Sequence, residues 1–157
     1  MTTRRLWLLR HAKSDWADAR LKDHDRPLNN RGRRSAAQVA TTLHREKIHL
    51  DLVLASTARR AVDTANHLDL PVTRDSALYN ASADDLLGRL REVPDDVTSV
   101  LLVGHNPGIE ELAARLGDEE GMSTATLLAF DVDAASWADL GAGNVKPAGR
   151  WEHPGRK

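Results

Sequence analysis

Short, densely apolar runs alternate along the chain with longer stretches in which apolar residues return every third or fourth position. Leu6 to Leu9 (LWLL) is the first run, closed by Arg10 and His11 and followed by small or polar residues from Ala12 to Ser14. Four consecutive apolar residues suit a strand buried on both faces, and Arg10 and His11 then emerge at its carboxyl end. Residues 13–30 are polar and charged with Pro27 near their end, which predicts a long loop carried over the strand ends. From Arg31, Ala36, Val39, Ala40 and Leu43 keep helical spacing, and the helix should stop near Lys47. Asp51 to Ala55 predicts a second buried strand, with Ser56 or Thr57 available to cap the next helix. That helix carries Ala58, Ala61, Val62, Ala65 and Leu68 until Pro71 ends it, and Arg59 and Arg60 fall in its first turn.

Further on, Val72 to Arg74 predicts a brief strand, and Leu78 with Tyr79 a second extended piece. Ser82 and Asp85 have the spacing of a capping box ahead of Leu86, Leu87 and Leu90. Ser99 to Gly104 (SVLLVG) has the strongest strand pattern, and His105 follows it directly. Asn106 as cap and Pro107 at the first helical position open a helix with Ile109, Leu112, Ala113 and Leu116 inward and Gly117 at its stop. Thr124 to Val132 predicts another strand, and 141–157, rich in Gly, Pro and charge, an irregular tail. The alternation predicts an α/β protein of three layers, helix, sheet and helix, around a mainly parallel sheet, with 1–157 as one domain.

At 157 residues the chain can bury a substantial core without a second domain. With 22 Lys and Arg against 23 Asp and Glu, no global field favours nucleic acid or an anionic membrane, so an anion site must be local. The absence of cysteine excludes disulfides, thiol nucleophiles and cysteine-ligated zinc. Only four apolar residues follow Arg4 and Arg5, short of the ~7 to 15 of a signal-peptide core, and the expectation is a cytoplasmic protein.

In a parallel sheet the strand-to-helix turns share one edge. Arg10 with His11, Arg59 with Arg60, and His105 with Asn106 therefore converge there, near two helix amino termini. A guanidinium grips phosphate oxygens bidentately and a neutral imidazole can attack phosphorus, so this convergence points to phosphate chemistry. Taken alone, an Arg–His pair at a strand end is equally a solvated basic end.

Several short stretches resemble a known family. RHAKSDW (Arg10 to Trp16) resembles the RHGxTxW signature of the histidine phosphatase superfamily, the phosphoglycerate-mutase-like group, with Ala12 in the glycine position. STARRAVDTA (Ser56 to Ala65) resembles SxxxRAxxTA, VGHNPGI (Val103 to Ile109) resembles GHxxxI, and DRPLNNRG (Asp25 to Gly32) resembles the RPLTxxG stretch of small SixA-type phosphohistidine phosphatases. The resemblance implies a phosphoglycerate-mutase-like fold without a large helical cap insertion. It implies His11 as the nucleophile that becomes phosphorylated, Arg10 and Arg60 as phosphate clamps, and His105 as a second histidine donating to the phosphate. No cofactor is implied, and a ring of cations around the nucleophile would repel a dication.

The sequence also departs from the family. Ala17 stands where many members carry a phosphate-holding asparagine, which leaves Lys13, Ser14 or Asn106 for that contact. Asn80 falls where mutase-like members have an acid, with Asp84 and Asp85 the nearest carboxylates. Arg26 either braces the long loop through Asp23 or Asp25 or lines the mouth of the site. His24, His44, His49, His67 and His153 are expected to be surface or core residues, and Trp7, Trp16, Trp137 and Trp151 to pack. The expected activity is hydrolysis of phosphohistidine in a protein, with small phosphate esters as the alternative substrate and a phosphate-binding or regulatory module as the alternative class.

Overall fold

The computed structural model describes residues 3–156. Its strands are β1 (Thr3–Arg10), β2 (Leu52–Ser56), β3 (Thr73–Asp75), β4 (Ser99–Gly104), β5 (Leu127–Asp133) and β6 (Val145–Trp151). Its α-helices are α1 (Asn30–Arg45), α2 (Arg59–Asn66), α3 (Ala83–Leu90) and α4 (Gly108–Arg115). One sheet joins the strands in the order β3-β2-β4-β1-β5-β6. β3, β2, β4 and β1 run parallel, while β5 is antiparallel to β1 and β6 to β5.

Side-chain alternation along β1 divides the core into two layers. Leu6 and Leu8 pack with Val100 and Leu102 of β4 under Leu86 and Leu90 of α3 and Ile109 and Leu112 of α4. Trp7 and Leu9 pack on the opposite face with Leu101 and Val103 under Ala36, Val39 and Leu43 of α1 and Ala61 and Ala65 of α2. The apolar stripes of the four helices thus seal both faces of the sheet. β1 and β4 are neighbours, yet the chain leaves them toward opposite faces, to α1 and α4. A crevice opens outside carboxyl ends arranged in this way.

The start of α3 and the stop of α4 follow local chemistry. Ser82 and Asp85 form the reciprocal capping box of α3. Gly117 beyond α4 has φ +108°, a left-handed conformation that glycine adopts without strain.

Four expectations need correction. The tail is irregular only in part: 152–156 has no regular structure, but Val145–Trp151 pairs with β5 as an edge strand, where Pro147 is tolerated, and Trp151 lies against Trp7 with ring centroids 5.8 Å apart. Ser76–Leu78 is a 3-10 turn, because the Asp75 side chain accepts from the Ala77 N–H and bends the chain. Asn106 does not cap α4; Pro107 takes the cap position. Neither Ser56 nor Thr57 caps α2, since Ser56 turns back to the Ala58 N–H and Thr57 Oγ1 pairs with His24 at 2.9 Å.

Candidate active site

The carboxyl ends of β1, β2 and β4 open into one cleft of about 600 Å³. All eight residues singled out from the sequence, Arg10, His11, Lys13, Ser14, Arg26, Arg60, His105 and Asn106, line it. His11 and His105 follow paired strands, because Arg10 of β1 is in register with Gly104 of β4 and the His11 N–H donates to the Gly104 carbonyl at 3.1 Å. Their rings lie 5.0 Å apart, centroid to centroid.

His11 has a defined tautomer. Its Nδ1 is 2.7 Å from the Ala12 carbonyl oxygen, which can only accept, so Nδ1 carries the proton and Nε2 the lone pair. Burial, with His105, Arg60 and Arg10 adding like charge, holds its pKa down at about 3 against the raising effect of that bond, and the ring is neutral at pH 7. Ala12 is fully buried, and its N–H donates to Thr64 Oγ1 at 2.9 Å, while that hydroxyl donates to the Arg60 carbonyl at 2.7 Å. The threonine of α2 therefore ties the turn after β1 to the backbone of Arg60. At Gly32, a Cβ would collide with the Lys13 carbonyl, so glycine lets α1 start against this turn.

His105 is oriented by Ser56. Ser56 Oγ accepts from the Ala58 N–H at 3.2 Å and lies 2.8 Å from His105 Nε2. The Ser56 hydroxyl is fully buried and has no other acceptor among the described residues, so its proton goes to Nε2 and the His105 hydrogen sits on Nδ1, a buried atom without a partner among them. Burial, then Arg60 and Arg10, hold His105 at about 4.

Arg60 and Arg59 diverge at the start of α2. Arg60 is buried, with Nε 3.4 Å from His11 Nε2 and its Nη atoms donating to the Asp23 carbonyl at 2.7 Å and Asp23 Oδ2 at 3.0 Å. Arg59 is exposed and pairs with Asp63 at 3.5 Å. Arg10 donates to the Met122 carbonyl at 3.0 Å, and its Nε is buried without a partner among the described residues.

Several organising residues carry no sequence pattern. Asp23 accepts from Tyr79 Oη at 2.6 Å, from Arg60, and through Oδ1 from Arg26 at 3.0 and 3.2 Å. The Tyr79 hydroxyl first, then Arg26 and Arg60, keep its carboxyl well below the usual carboxylate range. Arg26 does brace the loop through Asp23, and it also donates to Ser14 Oγ at 2.7 Å. From the sequence Asp23 was legible only as a candidate brace for Arg26, and Tyr79 only as part of an extended piece; their contacts with each other and with Arg60 were not.

The Asn106 side-chain amide is already engaged. Both hydrogens on its Nδ2 are used, toward Glu110 Oε2 at 2.8 Å and the Met122 carbonyl at 3.0 Å. Asp84 and Asp85 are also engaged elsewhere, Asp84 with Arg115 and Asp85 in the capping box. Asp23 is the carboxylate that lines the cleft. Trp16, expected to pack, is 73% exposed at the cleft. Trp7 and Trp137 are buried as expected, and His153 is a core residue held between Thr42 Oγ1 and the Ala125 carbonyl, each at 2.7 Å.

A sheet with two facing histidines, a half-buried Arg10 and a buried Arg60 at its carboxyl edge defines a histidine phosphatase arrangement, and the family comparison agrees. Residues 6–99 match the model of the histidine phosphatase superfamily (branch 1), and the chain belongs to that superfamily. An uncharacterized protein of Mycobacterium tuberculosis is 34% identical over 145 residues, covering 91% of this chain and 89% of the relative. Among solved structures, a candidate phosphohistidine phosphatase SixA from Nakamurella multipartitia superposes with TM-score 0.85 at 27% identity, over 98% of each chain. A candidate SixA from Agrobacterium tumefaciens gives TM-score 0.76 at 32% identity, over 82% of this chain and 92% of that one. The fold is the small SixA-like histidine phosphatase fold.

Proposed function

We propose that this chain is a phosphohistidine phosphatase that works through a covalent phosphohistidine on His11. The observation that carries the reading is the unprotonated His11 Nε2 with the Arg60 guanidinium 3.4 Å away. Nε2 attacks phosphorus in line and the bond from phosphorus to the substrate's imidazole nitrogen breaks. That nitrogen takes a proton from solvent as it leaves. Water then attacks the phosphorus on His11, releasing inorganic phosphate and a proton and restoring neutral His11. Arg10 and Arg60 take up the charge on the equatorial oxygens, and the His105 Nδ1–H adds a neutral donor. Lys13 is exposed at the mouth and adds a further cation. The charge stabilisation comes from side chains and calls on no metal.

Two features support a protein substrate over small esters. The likeness is to structures described as SixA phosphohistidine phosphatases. Between α2 and β4 the described residues hold α3 as the single α-helix, and it packs beside α4, so the cleft stays open to a large surface. The test is to mix the protein with a phosphohistidine-bearing protein and with a panel of small esters. An acid-labile phosphoenzyme, lost in His11→Ala, with turnover fastest on phosphohistidine, is expected. Faster turnover of an alkyl ester would make it an esterase, and binding without phosphoenzyme a phosphate-binding module.

A further inference from the structure

Trp16 is the large apolar surface among the residues lining the cleft. Burying an indole is favoured in proportion to its area, and Trp7 and Trp137 are buried accordingly, yet Trp16 stays 73% exposed. It is not left loose. The Arg26 guanidinium carbon sits 3.3 Å from the indole ring centroid and covers one face. Arg26 is itself buried and fixed by Ser14 Oγ at 2.7 Å and Asp23 Oδ1 at 3.0 Å. One face of a held aromatic ring is therefore left to solvent at the mouth of the nucleophile's cleft.

We infer that Trp16 is a stacking platform for a planar group attached to the phosphoryl group, and so determines which leaving groups the site prefers. This rests on the phosphatase reading. With phosphorus at His11 Nε2, in-line displacement directs the leaving group away from the cleft floor and toward the mouth. The rest of the mouth is polar or charged, with Lys13, Asn80, Ser123 and Thr124 lining it. A flat ring such as the imidazole of phosphohistidine gains dispersion and area burial against indole, whereas an acetyl or short alkyl group offers no ring and far less area. Because Arg26 already holds the indole, little side-chain entropy is lost when a ring docks on it.

The inference is tested with Trp16→Ala and Trp16→Phe on phosphoimidazole, phenyl phosphate and acetyl phosphate. Aromatic stacking on this scale changes affinity roughly 5- to 30-fold. Trp16→Ala should lower kcat/KM by about that factor on the two ring-bearing substrates, mainly through KM, and leave acetyl phosphate within about twofold. Trp16→Phe should recover most of the loss. An equal loss on all three would mean that Trp16 merely braces Arg26, and no loss on any would remove the role altogether; either overturns the inference. A binding measurement separates this from failure of the phosphatase reading. Phenylphosphonate should bind the unmodified protein more tightly than methylphosphonate, and equally in Trp16→Ala, whether or not turnover occurs. Equal binding of both by the unmodified protein overturns the platform alone.

Discussion

His11 Nδ1 lies 2.7 Å from the carbonyl oxygen of its own neighbour Ala12, and this contact leaves Nε2 as the nitrogen that faces Arg60. Nitrogen-15 NMR of the protein labelled at histidine should show His11 as the Nδ1–H tautomer throughout pH 5 to 8. His11→Ala should abolish phosphoenzyme while leaving the far-UV spectrum unchanged, since the ring fills a polar cleft and not either apolar layer. A phosphoenzyme surviving in His11→Ala would move the nucleophile elsewhere.

Arg60 and Arg59 are adjacent in sequence and opposite in consequence. Arg60→Ala removes the guanidinium beside His11 Nε2 and leaves Asp23 with one cation fewer, so kcat/KM should fall by at least about 100-fold, the scale of losing one transition-state donor. Arg59→Ala breaks one exposed pair with Asp63, worth about 0.5 kcal/mol, and should leave kcat/KM within about twofold. The comparison uses steady-state kinetics on one substrate with both variants.

Leaving-group chemistry follows from where the carboxylates sit. Asp23 is kept ionised by Tyr79, Arg26 and Arg60 and is a poor proton donor, while Asp84 and Asp85 hold Arg115 and the start of α3. An alkoxide must be protonated to leave, but an imidazole, with a pKa near ~6.5, can take its proton from water. Turnover should therefore be fast for phosphohistidine, slower for aryl phosphate and slowest for alkyl phosphate from pH 5 to 8. Asp84→Asn and Asp85→Asn should leave that order unchanged, since Asp85→Asn keeps a side-chain oxygen to accept from the Ser82 N–H. Loss of alkyl-ester turnover in either variant would identify a general acid.

Acid should weaken the fold through the same histidines. His11 and His105 are held at about 3 and about 4, below the ~6.5 of an exposed imidazole. Between those values and ~6.5 the unfolded chain binds more protons than the folded one, so stability is lost as pH falls from 6.5 toward 4 and is fully present above 6.5. Each histidine contributes a slope of at most about 1.4 kcal/mol per pH unit in that window. Urea midpoints measured from pH 7 to 4 should fall less steeply in a His11→Gln, His105→Gln double variant, and equal slopes would refute the assignment.

Much of this architecture is written locally. Leu6 to Leu9 and Ser99 to Gly104 are uniformly apolar because helices cover both faces of the sheet, and the stripes of α1 to α4 are apolar at helical spacing because each packs on one face. Arg10, His11, Arg60 and His105 could be found because each sits where a legible strand ends or a legible helix begins.

Contacts between distant segments were decided by tertiary structure alone. Asp23 joins Arg60 and Tyr79 from a loop without periodicity, and Ser56 orients His105 across two strand ends; the local sequence announces neither contact. The tail gained a strand because β5 offered an unpaired edge and Trp7 an apolar surface for Trp151, neither of them encoded within 141–157. Hydrophobic periodicity is a property of a chain segment against a generic core, so sequence states it directly. A hydrogen bond between residues 50 apart exists only once the sheet has set their distance, and the polar half of the site is built from such bonds.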